Sequence, residues 1–78
     1  MQPLLLKYCR TFLGLTQKDL SELIGVHDSL ISKIEAGAIP MQPDTERKLL
    51  EVFSEMGMDA DSILRVKQMI EDIQKGEK

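Results

Sequence analysis

An all-α fold of five short helices is what this sequence predicts. Apolar residues recur at steps of three and four through five segments, single glycines and prolines punctuate those segments, and no linker, repeat or low-complexity stretch divides the chain. At 78 residues there is room for one domain, residues 1–78, which must use its apolar residues efficiently because so short a chain buries a modest fraction of its surface.

The first helix is expected over Leu4 to Leu13, where Leu5, Cys9 and Phe12, and Leu6, Cys9 and Leu13, form adjacent apolar rows and Gly14 ends the run. The second starts at Thr16 or Gln17 and runs to Ile24. Thr16 is a good N-cap, Asp19 stands three residues on where it can bond back toward that cap, and Leu20, Leu23 and Ile24 share a face. Gly25 supplies the left-handed backbone of a tight turn. A third helix, Asp28 to Ala36, buries Ile31 and Ile34 and turns Asp28, Ser29, Ser32 and Lys33 outward, with Gly37 as its C-cap and Pro40 just beyond. After the loop from Ala38 to Gln42 the fourth helix begins near Pro43 or Asp44, with Asp44 and Glu46 in its first turn and Leu49, Val52, Phe53 and Met56 as its apolar row; Gly57 closes it. Asp59 can cap a fifth helix, Ala60 to Gln74, in which Ile63, Val66, Ile70 and Ile73 repeat at steps of three, four and three.

Composition narrows the function. The chain is 42% hydrophobic and 29% charged, as an ordinary soluble globular domain is, and no window approaches the ~20 apolar residues of a membrane span. The opening Met1 to Leu6 lacks a charged leader and a cleavage-type site, so no secretory signal is expected. A lone Cys9 cannot form an internal disulfide, and a cytoplasmic location follows as the expectation; Cys9 itself reads as a small buried hydrophobe. No paired carboxylates, nucleophile arrangement, metal-ligand cluster or glycine-rich phosphate loop is present, so neither catalysis, a cofactor nor a metal is expected. The net charge is −3 and the pI about 5.0, which runs against the basic balance common in nucleic-acid binders. That charge is unevenly placed. Residues 1–40 carry four basic and four acidic groups, whereas residues 41–78 carry six and nine, so the acidic excess lies in the second half.

The most specific pattern is Thr16-Gln17-x-x-Leu20, Gly25-Val26 and Ile31-x-x-Ile34-Glu35-x-Gly37: two short helices hinged at a glycine, from Thr16 to about Ala36. So short a turn holds the helices at a wide angle, with one able to brace across a phosphate backbone while the next projects into a major groove. Here the chain resembles the Xre/Cro/lambda-repressor family of helix-turn-helix proteins. The resemblance spans roughly residues 5–64 and is carried by the stretch Leu13 to Leu20, by Leu23 to Val26, by Leu30 to Gly37 and by Met56-Gly57.

The resemblance implies double-stranded DNA as partner. At matching positions it implies that Gln17 bonds a backbone phosphate and supports the first residue of the recognition helix. It also implies that Asp28, Ser29 and Lys33 face base edges, that Ser32 and the segment after Gly37 lie near phosphates, and that Arg10 and Glu35 form an ion pair linking the first helix to the third. Two positions depart from the family pattern: His27 stands where many relatives have Ser or Thr, and Asp28 where a basic or amide residue often reads a base. Asp28 either accepts a hydrogen bond from a cytosine amino group or caps the helix, the latter being favoured; His27 reads as a residue of the turn at the DNA face. Lys33 suits guanine O6 and N7. Leu30 either packs on a thymine methyl or fills the gap beside the second helix.

The fifth helix is longer than is usual in the family. Its Ile63, Val66, Ile70, Ile73 stripe reads as a homodimer seam packing with neighbouring elements, the alternative being that it folds back on its own core. The expected function is a sequence-specific transcriptional regulator, a compact repressor that binds a pseudo-palindromic operator as a homodimer and is controlled by concentration, proteolysis or a regulatory protein partner. The other reading is a protein-interaction module on the same fold, an antirepressor or antitoxin.

Overall fold

A computed structural model describes residues 1–76. The described residues form five helices: α1 (Pro3–Phe12), α2 (Gln17–Ile24), α3 (Asp28–Glu35), α4 (Pro43–Glu55) and α5 (Ala60–Gly76). Pro3 and Pro43 open α1 and α4, where a missing backbone N–H costs nothing and the fixed φ already suits a helix. The expected boundaries shift by one or two residues, most at α5, which runs on to Gly76.

The core is one cluster. Leu6, Cys9, Leu20, Ile31, Leu49 and Phe53 lose all contact with solvent, and Leu5, Ile24, Ile34, Met58 and Ile70 join them. α2 packs on α3, α1 on both α3 and α5, and α2 on α4. Cys9 behaves as the small hydrophobe expected, and burial pushes its thiol pKa above the ordinary value. No described helix is long and apolar enough to cross a membrane.

Four expectations about apolar faces need correction. Phe12, Leu23 and Met56, read as members of inward rows, are all exposed, Phe12 to 78%. Phe12 stands at the last turn of α1, where the space between α1 and α5 stays open, and lines that space instead of the core. Larger in consequence is α5. Ile70, assigned to a dimer seam, is 2% exposed within its own chain, and Ile63 and Val66 pack half-buried against the same core; only Ile73 of that stripe is exposed. The stripe thus folds back, and the outward apolar side chains of α5 are Leu64, Met69 and Ile73. Successive residues on a helix lie about 100° apart, so Met69 and Ile73, four apart, share an edge that the inward Ile70 does not.

Candidate nucleic-acid interface

Local chemistry builds the α2–α3 pair. Thr16 takes extended backbone and its Oγ1 accepts from the Asp19 N–H at 2.9 Å, while Asp19 Oδ2 accepts from the Thr16 N–H at 3.0 Å. This reciprocal box satisfies two backbone donors that the first turn would otherwise leave orphaned. The same bonds from Thr16 hold the Asp19 carboxyl below the usual carboxylate range. At the other end of α2, Gly25 adopts φ 74°, ψ 36°, and its N–H and that of Val26 both reach the Ser21 carbonyl, so the chain reverses within a few residues.

The first turn of α3 corrects the expected cap. His27, not Asp28, is the residue in extended backbone before the helix, and its Nδ1 accepts from the Ser29 N–H at 3.2 Å. Asp28 already has helical backbone, so its carboxylate cannot take the cap position; it complements the helix dipole and stands exposed, with Oδ1 3.0 Å from His27 Nδ1. Accepting from Ser29 requires a bare Nδ1, hence a neutral ring with its proton on Nε2.

A polar cluster fixes how α3 leans on its neighbours. The Arg10 guanidinium clasps Glu35 through Nε to Oε2 at 2.7 Å and Nη2 to Oε1 at 3.0 Å, and its Nη1 donates to the Leu15 carbonyl at 2.7 Å. The Gln17 amide donates to Glu35 Oε1 at 3.1 Å. With side-chain exposures of 12% and 5%, Arg10 and Glu35 form a largely desolvated bidentate pair, and the bonds to Glu35 hold Arg10 more firmly protonated than usual. The ion pair implied by the family resemblance is present. Gln17, however, supports the last residue of α3 and not the first.

Outward from this frame, Asp28, Ser29, Ser32 and Lys33 are all exposed on α3, while Ile31 and Ile34 are buried beneath them. His27 is exposed in the turn and Gln17 half-buried at the start of α2. Leu30 packs half-buried against the core, which favours the gap-filling role. Lys18 is exposed in the first turn of α2.

No curated protein and no solved structure matches the chain. Residues 6–53 match the family model described as Helix-turn-helix, a span that takes in α2, α3 and most of α1 and α4. The braced α2, the glycine turn and the polar outward face of α3 are the parts by which such proteins hold DNA, and the chain belongs to the helix-turn-helix family of Xre/lambda-repressor type, a family of DNA-binding transcription regulators.

Proposed function

We propose that the chain is a sequence-specific repressor, acting in the cytoplasm, that binds a pseudo-palindromic operator as a homodimer with α3 in the major groove. The observation that carries it is the division of α3, with Ile31 and Ile34 sealed in the core and Asp28, Ser29, Ser32 and Lys33 presented together on a helix clamped by Arg10, Gln17 and Glu35. Lys33 donates to guanine O6 and N7, Asp28 accepts from a cytosine amino group, and Ser29 adapts to either donor or acceptor. Ser32, His27, Lys18 and the remaining N–H of the Gln17 amide serve phosphates. Asp28 sets the character of the site, since its charge repels phosphate and leaves affinity dependent on two half-sites.

Anisotropy titration against genomic fragments at several salt concentrations tests this reading. With Lys18 from each of two copies on a phosphate, the slope of log K against log salt is expected to be about −1.8. Lys33→Ala relaxes preference at one base-pair position and costs about 1–3 kcal/mol of binding. If no fragment binds better than random DNA at low salt, the protein-interaction reading replaces this one, as the absence of a net positive charge over residues 1–40 would then suggest.

A further inference from the structure

Between α1 and α5 runs an open groove of about 320 Å³, walled by Tyr8 and Phe12 on one side and by Val66, Met69 and Ile73 on the other. None of its lining side chains is charged, in a chain that is 29% charged. Phe12, Met69 and Ile73 are 78%, 62% and 53% exposed, so three large apolar side chains meet water on one face, which a lone soluble chain rarely tolerates without use.

We propose that this groove is the contact between two copies of the chain, the Phe12 ring of each seated in the groove of the other beside Met69. The inference deepens the homodimer part of the DNA-binding reading and rests on it. Three observations favour a second copy as occupant. First, a protruding ring and a cleft that can hold one lie on the same face, as a two-fold contact requires, where residue i meets j and j meets i. A cavity of about 150 Å³ accepts a benzene ring, so the groove accommodates a phenyl ring with part of a neighbour. Second, the size fits. α5 has 17 residues and is about 25 Å long, and with α1 packed about 8–10 Å away the face covers on the order of 500 Å². Two such faces bury on the order of 1,000 Å² in all, the low end of specific interfaces. Third, the competing cleft on α4 beside Leu50 is rimmed by Glu46, Glu51 and Glu55 against the single cation of Arg47, so two copies joined there would bring together two net negative surfaces.

Sedimentation of the full chain from about 1 to 500 µM without DNA reads the contact directly. The wild type is expected to pass from monomer to dimer across that range; a monomer throughout overturns the proposal and opens the groove to an amphipathic helix of another protein. Phe12→Glu and Met69→Lys are each expected to be monomeric with wild-type circular dichroism, because both side chains are exposed; should either lose its fold, Phe12→Ser and Met69→Ser take their places. Mixing Phe12→Glu with Met69→Lys is expected to restore a heterodimer, which keeps one native contact and gains one ion pair, whereas neither variant alone dimerises. Absence of the heterodimer, or a dimer that survives Phe12→Glu, overturns the assignment, as does loss of the dimer in Leu23→Glu, an exposed leucine on α2. Titration of a half-site separates the two readings: monomeric variants that still bind it leave DNA binding intact, while a dimer that binds no DNA refutes only the regulator.

Discussion

α3 and α5 are both amphipathic, and both send one isoleucine-bearing edge into the same core. They part company on the outside. α3 turns serines, an aspartate and a lysine to solvent, so its outer surface costs nothing to leave wet and is chemically varied, as suits hydrogen-bonded readout. α5 leaves Met69 and Ile73 outward beside Phe12 of α1, an apolar edge that no described residue covers. An outward face made of polar groups points to a polar partner read atom by atom, and one made of methyl and ring groups points to burial by shape.

The comparison breaks most sharply on α5 itself. Ile70→Asp buries a charge and removes a filled core position, and about 4 kcal/mol or more is expected to be lost, enough to unfold a domain of this size; urea denaturation reads it. Ile73→Ser, one turn on but exposed, is expected within about 1 kcal/mol of wild type. If the two cost the same, the inward and outward edges of α5 are misassigned. On the α3 side, Glu35→Ala strands the desolvated Arg10 and is expected to cost about 2–3 kcal/mol, somewhat below the loss for a fully buried pair, by the same measurement. Gly25→Ala places a side chain in left-handed backbone, where nothing crowds a Cβ, so the expected loss of about 1–2 kcal/mol is conformational alone and Gly25→Asn recovers part of it.

Smallest is the pH effect. Asp19 and Asp59 have carboxyl pKa values held below the ordinary range, chiefly by hydrogen bonds from Thr16 and from the Ser62 N–H. Groups with a lowered folded pKa stabilise above their unfolded value of about 3.9 and stop doing so as pH falls through the folded one, so melting temperature should decline gradually below about pH 4. Asp19→Asn, which keeps a neutral cap, is expected to flatten that decline, and an unchanged profile would remove Asp19 from the account.

Legibility in the sequence followed the distance over which each feature is encoded. The Thr16–Asp19 box spans three residues and was readable outright. The cap of α3 was misread by one residue, because preference favours Asp over His while the backbone had already made Asp28 helical. The Arg10–Glu35 pair lies 25 residues apart and was reachable only through family resemblance. For α5, periodicity announced a helix with an apolar edge but could not say which neighbour would cover it; that depended on where α1 packs, and Ile70 went inward while Met69, adjacent in sequence, did not. Phe12 was lost for the same reason, since a helical row says nothing of where the core stops.

The clamp at Glu35 has a mechanical consequence. α3 is joined to α2 by three residues, Gly25 to His27, which fix how far apart the helices begin but leave a swing about that joint. Glu35 lies at the opposite end of α3, about one helix length from the joint, and is tied there to α1 through Arg10 and to α2 through Gln17. A tether at the far end of a lever resists rotation with the greatest torque per bond, so a handful of hydrogen bonds suffices to hold the aim of the helix. Loosening them would blur where Lys33 points without touching any surface that meets DNA.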